Sequence, residues 1–136
     1  MLRLTRRHWM PNNTKRIVFL APALGWGILI CYFSLIPGEE VPGVLKSIRD
    51  IVLHFTIYAG LSILCFFGLN RFSRSSLPLR KVYAIVIFCF LLGLIIEVIQ
   101  EKFVAGRHFE WGDVLFNSLG TLLILGLNKK MAPSKL

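Results

Sequence analysis

Hydrophobic residues fall in four long runs, roughly Ile17 to Ile36, Ile51 to Leu69, Val82 to Gln100 and Val114 to Leu127, with short polar segments between them. Leu, Ile and Val dominate, and the apolar character goes all the way round, unlike a water-facing helix, which keeps a polar face. Three runs come close to the ~20 residues that carry an α-helix across a ~30 Å hydrocarbon layer at ~1.5 Å per residue. The fourth reaches that length only if it starts at Trp111 or Gly112, and it then takes in Asp113. Breakers separate the runs: Pro37-Gly38 and Pro42-Gly43, a polar connector from Asn70 to Lys81 with Ser73, Ser75, Ser76 and Pro78, and Ala105-Gly106. Connections this short make successive helices antiparallel. The pattern predicts an all-α, four-helix transmembrane bundle with short loops.

Composition agrees with one small polytopic membrane domain: 55% of residues are hydrophobic and the mean hydropathy is +0.66. Charge then gives the bundle a direction. Twelve of the sixteen basic residues lie before the first run (Arg3, Arg6, Arg7, Lys15, Arg16), after the second (Arg71, Arg74, Arg80, Lys81) and after the fourth (Lys129, Lys130, Lys135). Only Lys46, Arg49, Lys102 and Arg107 lie on the other side, and all seven acidic residues fall in or beside the two gaps there. By the positive-inside rule both termini and the central loop are expected in the cytoplasm. The division expected is a basic cytoplasmic tail over 1–16, a membrane domain over 17–128 and a second basic tail over 129–136. The net charge of +9 is accordingly a topology signal, and no nucleic-acid partner is expected.

The first run exceeds the ~7–15 apolar residues of a cleaved signal peptide, so it is expected to remain as an anchor. Cys31, Cys65 and Cys89 sit within apolar runs and are expected as packing residues rather than a disulfide or metal site. Trp9, Phe72 and Tyr83 suit the inner interface, and Tyr32, Phe33 and Trp111 the outer one.

Chemistry is concentrated in polar residues that enter the apolar runs. Asp50, His54 and Tyr58 recur every four residues and share a helix face. Glu97 lies one turn inside Glu101 and three residues from Gln100; Asp113 and Asn117 repeat the four-residue spacing, with Gly120 and Thr121 continuing that face. Three helices thus each present a polar group about one turn below the outer boundary: His54, Glu97 and Asn117. A charged side chain in hydrocarbon costs about 2.5–3.5 kcal/mol or more, so these groups are expected to turn toward one another in a shared outer cavity. Ala59, Gly60, Ser62, Gly93, Ser118 and Gly120 offer close helix approach around it. Each group also has a structural reading. Asp50 and Asp113 fit helix N-caps, His54 a structural hydrogen bond, Tyr58 packing, and Glu97 a buried pair with Arg107 or His54, since a carboxyl group there must be protonated, paired or wet.

These residues resemble a known family. Asp50-x-x-x-His54-Phe55, Glu97-x-x-Gln100, Gly106-Arg107 followed six residues later by Asp113, and Asp113-x-x-x-Asn117-x-x-Gly120 look like the successive signatures of VanZ-like membrane proteins, over Ser34 to about Gly126. Ile51 and Ala105 stand where members often carry a basic residue and a proline. The resemblance implies a multi-pass protein of the bacterial cytoplasmic membrane and cell envelope, associated with resistance to glycopeptide antibiotics of the teicoplanin type. A phosphotransbutyrylase activity, sometimes attached to such sequences, would need an acyl-CoA site, and the sequence shows no phosphate-cradling Gly-rich loop.

Two main functions follow. One is a non-catalytic envelope protein whose outer pocket binds a lipid headgroup, a lipid-linked cell-wall precursor or a lipoglycopeptide, with Arg107, Gln100, Asn117, Asp50 and Tyr58 as binding residues. The other is an enzyme acting on a lipid-linked phosphate. There Arg107 would clamp the phosphate with help from Lys102, Glu97 or His54 would act as general acid/base, and Asp113 and Asn117 would orient the partner or a water. Proton-coupled transport through Glu97 and His54 is a third reading, weakened by the lack of ionisable residues in the inner halves of the runs. A His-Glu-Asp set can hold a metal, but His-Glu-x-x-His spacing is absent, so neither metal nor cofactor is expected. No GxxxG pair marks an oligomer interface.

Overall fold

The computed structural model describes residues 12–40, 43–44, 50–71 and 75–132. Outside them lie Arg3, Arg6, Arg7, His8, Trp9, Lys46, Arg49, Phe72, Arg74 and Lys135, together with the side chains of Lys15, Arg16 and Asp50. Among the described residues the chain is all-helical, with four long helices and no strand: α1 (Asn12–Leu35), α2 (Asp50–Leu69), α3 (Leu79–Phe103) and α4 (Trp111–Lys130). A single 3-10 turn over Gly38–Glu40 follows α1 and is closed by the Glu40 N–H donating to the Pro37 carbonyl at 3.0 Å.

Every helix overruns its apolar stretch, α2 only by Asp50. α1 takes in Lys15 and Arg16, α3 takes in Arg80, Lys81, Glu101 and Lys102, and α4 ends on Lys129 and Lys130. Backbone hydrogen bonding does not stop where hydrocarbon does, and long basic side chains reach headgroups from the last turns. Three spans, Val18–Leu35, Ile51–Leu69 and Leu79–Phe103, are long and apolar enough to cross a membrane. α4 has the same 20 residues as α2 but carries Asp113, Asn117, Asn128 and two lysines, and its apolar content is lower.

α2 is the middle of the bundle and packs on the other three helices, most extensively on α4. That contact is close because Gly120 has no side chain: a Cβ there would overlap the carbonyl oxygen of Phe55. α1 leans on α2 and α3. Its Trp26 ring lies over Gly60 and donates its Nε1–H to the Ile57 carbonyl at 2.9 Å, and further along, the Phe19 carbonyl approaches Gly68. Both ends of the bundle are pinned by side-chain amides. At one, Gln100 Nε2 donates to the Ser34 carbonyl at 2.9 Å. At the other, Asn128 grips Leu77 twice, accepting from its N–H at 2.6 Å and donating to its carbonyl at 3.2 Å. The C-termini of α1 and α3 therefore meet the N-termini of α2 and α4 at one end, as antiparallel succession requires.

Polarity runs inside-out relative to a water-soluble bundle. Ile28, Ile87 and Leu115 are more than half exposed, whereas Ser62, Glu97, Gln100, Asn117, Thr121 and Asn128 are buried. An apolar exterior of this extent is a liability in water and the ordinary condition of a helix facing lipid tails. The protein is read as membrane-embedded on this ground.

Candidate functional site

The site is built at the end of the bundle where Gln100 meets Ser34. His54, in the second turn of α2, projects toward α4. There its Nδ1 lies 3.1 Å from Asn117 Oδ1 and its Nε2 lies 3.3 Å from Asp113 Oδ2. These two partners are four residues apart on α4, so one helix face holds both edges of the ring. Glu97 comes from α3 to the same place. One ligand atom from each of His54, Glu97 and Asp113 lies within 4.8 Å of the other two. Glu97 is 1% exposed, and neither carboxylate oxygen has a well-formed hydrogen bond among the described residues, although the Glu110 main chain approaches it.

Tyr58 and Asn117 close the cluster on its inner side. Both lie against Gly93: a Cβ at that position would sit 3.1 Å from Asn117 Nδ2 and 3.3 Å from Tyr58 Cε1. Tyr58 is fully enclosed and its hydroxyl has no hydrogen-bond partner among the described residues. Asp113 does not occupy the cap position that its sequence placement fits. Glu110 is the α4 cap residue, without a side-chain cap bond, and Asp113 is the third residue of the helix, turned toward His54. It still lies in the first turn, where the helix dipole favours a negative group. Asp50 begins α2, but its side chain is not among those described.

A cavity of about 300 Å³ adjoins this cluster. Trp26, Leu29, Ile30 and Phe33 of α1 and Leu53 and Ile57 of α2 form its apolar wall, while Ser34, His54, Gln100 and Arg107 supply its polar groups. Arg107 is carried there by the turn after α3. Gly106, at φ 73°, takes the left-handed conformation that glycine adopts without strain, and the Arg107 N–H closes back on the Val104 carbonyl at 3.2 Å. The Arg107 side chain is half-buried, and its Nε is buried without a hydrogen-bond partner among the described residues.

The sequence-derived residues thus divide into two adjoining sets. His54, Gln100 and Arg107 line the cavity. Glu97, Asp113, Asn117 and Tyr58 form the enclosed cluster behind it, and His54 belongs to both. Lys102 is exposed and does not line the cavity. Gln100 faces the cavity with its amide already donating to Ser34. The hydroxyls of Ser62, Ser118 and Thr121 each donate to a carbonyl of their own helix, Ala59, Val114 and Asn117 respectively, so none of these three is held as a nucleophile. His108, for which spacing suggests no role, is exposed with its Nδ1 3.9 Å from Glu101 Oε2, and that same oxygen accepts the Phe109 N–H at 2.7 Å.

Trp26 as a cavity wall and Asn128 as a clamp have no signal in spacing or charge: the first reads as ordinary packing, and the second as the polar end of a span. All three cysteines are free, with Cys89 buried and Cys31 and Cys65 half-buried.

No curated protein and no solved structure matches this chain significantly. The family model described as VanZ/LLP1, however, matches residues 5–131, nearly the whole chain, and the protein belongs to the VanZ/LLP1 family.

Proposed function

We propose that this protein binds an amphipathic ligand at the outer end of its bundle, seating the apolar part against α1 and the anionic head on Arg107. The observation that carries the reading is the pairing, in one cavity, of an apolar wall with a buried Arg107 Nε that has no partner among the described residues. Nε and one terminal nitrogen form the edge of a guanidinium that grips a phosphate or carboxylate by two parallel bonds. At about 300 Å³ the space lies at the lower limit of small-molecule sites and suits a headgroup with the first part of its chain. The distribution of basic residues supports an outward-facing cavity. Family membership is consistent with a membrane protein associated with glycopeptide resistance. On this reading the ligand is a lipid headgroup, a lipid-linked cell-wall precursor or a lipoglycopeptide, bound in the bacterial cytoplasmic membrane.

Native mass spectrometry of the full chain released from its membrane tests this. The wild type is expected to retain an anionic lipid-linked molecule, and Arg107→Lys to lose about tenfold in retention as the planar fork becomes a point charge. Equal retention by wild type, Arg107→Lys and Arg107→Ala would remove the proposal.

A second reading, acid/base chemistry on a lipid-linked phosphate, is favoured by His54 being held on both edges beside the Glu97 carboxylate. With the hydroxyls bonded to their own helices, the attacking group would be water or a hydroxyl of the ligand. Glu97→Gln separates the two readings. Ligand retained with the glycopeptide tolerance of the cells unchanged supports binding alone, whereas ligand retained with that tolerance lost supports chemistry.

A further inference from the structure

We infer that His54, Glu97 and Asp113 form a site for one divalent transition-metal ion of the zinc class, with Asn117 as the residue that orients the imidazole. The inference stands on the enclosed cluster and is independent of what occupies the cavity.

The hydrogen-bonding arithmetic around His54 carries it. Asn117 Oδ1 faces Nδ1 and Asp113 Oδ2 faces Nε2. A neutral imidazole has one N–H and one lone pair. With the proton on Nδ1, donating to Asn117, the Nε2 lone pair faces a carboxylate oxygen 3.3 Å away; with the proton on Nε2, donating to Asp113, the Nδ1 lone pair faces Asn117 Oδ1, so a neutral ring bonds one of the two oxygens and opposes the other. Glu97 supplies the second, separate observation. Its carboxylate is 1% exposed, lies in the same cluster, and has no well-formed hydrogen bond on either oxygen among the described residues. Protonating His54 would satisfy Asp113 and leave Glu97 as a buried carboxyl group without a bond.

A cation placed among Nε2, Asp113 Oδ2 and a Glu97 oxygen satisfies all three at once. It neutralises two carboxylates where their isolated burial is expensive. It also leaves Nδ1–H to donate to Asn117, the arrangement by which a carbonyl outside the coordination shell fixes a metal-bound histidine. One imidazole and two carboxylates with no thiolate form a nitrogen–oxygen set suited to Zn²⁺, with room for a further oxygen ligand. Bonds of about 2.0–2.2 Å place ligand atoms roughly 3.3–3.6 Å apart in tetrahedral geometry. His54 and Asp113 already meet this at 3.3 Å. The trio as a whole, within 4.8 Å, need close by only about an ångström, a movement within the reach of carboxylate rotamers.

Untagged full-length protein in detergent, stripped with chelator, is titrated with Co²⁺ as a spectroscopic stand-in for Zn²⁺. The wild type is expected to take up one Co²⁺ per chain with a visible d–d absorption band that Zn²⁺ abolishes. Glu97→Gln and Asp113→Asn, which keep side-chain size, are expected to weaken uptake at least tenfold, Asn117→Ala by about 10–100-fold, and Glu101→Gln, one turn away, not at all. Circular dichroism on each sample establishes that the helices are intact. Folded wild type without stoichiometric uptake or a d–d band overturns the inference. So does unaltered Co²⁺ affinity in both folded carboxylate variants. Lipid retention, measured on the same samples, reads the cavity separately, so either assignment can fail while the other stands.

Discussion

At the scale of single residues, close backbone approach and amide clamps set the geometry. Gly120 lets α4 lie against the Phe55 main chain, and Gly120→Ala is expected to lower stability by about 1–3 kcal/mol, because the obstructing atom is backbone and cannot rotate away. Gly25→Ala, whose Cβ meets nothing within 4 Å in the interior of α1, is expected to leave the unfolding midpoint in detergent unchanged or to raise it through helix propensity, which makes it the matched control. Asn128→Ala removes both partners of Leu77, leaving a buried N–H and carbonyl unsatisfied, and is expected to cost about 1–3 kcal/mol in the same assay. The sequence makes part of this visible. Gly120 stands out by its place on the Asp113–Asn117 face, but Gly68 and Asn128 do not, since their role depends on which helix lies opposite, and spacing within one helix carries no such information. The His54–Glu97–Asp113 trio was legible as three separate helix positions. Metal-ligand spacing could not reveal it, because its members come from three different helices.

At the scale of elements, the helices were legible because hydrophobicity all the way round a stretch of this length suits little besides a membrane span. Their ends were not, because backbone hydrogen bonding continues into the charged residues on either side. α4 is the informative case: it has the length of a span but carries Asp113, Asn117 and Asn128 within it. Those residues are turned toward α2, α3 and the α3 connector rather than toward lipid. That is how a helix too polar to insert alone can cross within a bundle. A fluorescent protein fused after Lys130 is expected to fluoresce, placing the end of α4 in the cytoplasm. A periplasmic reporter that is active at the same fusion point would show that α4 does not cross.

At the scale of the molecule, the apolar exterior, the buried polar interior and the two pinned ends produce a bundle that is closed at the Asn128 end and holds its chamber at the Gln100 end. The gathering of His54, Glu97 and Asn117 at one depth could be anticipated from the antiparallel succession of the runs and their polar spacing. The division into an open cavity and an enclosed cluster could not, because it depends on Trp26 and Arg107, a packing residue and a turn residue. The ligand-binding role proposed for the cavity requires that it face outward. Ser34 lines the cavity, so Ser34→Cys in a chain with its three native cysteines replaced by alanine reports that side directly. A membrane-impermeant thiol reagent is expected to label it in intact cells. Labelling that appears only after the membrane is permeabilised would contradict the account.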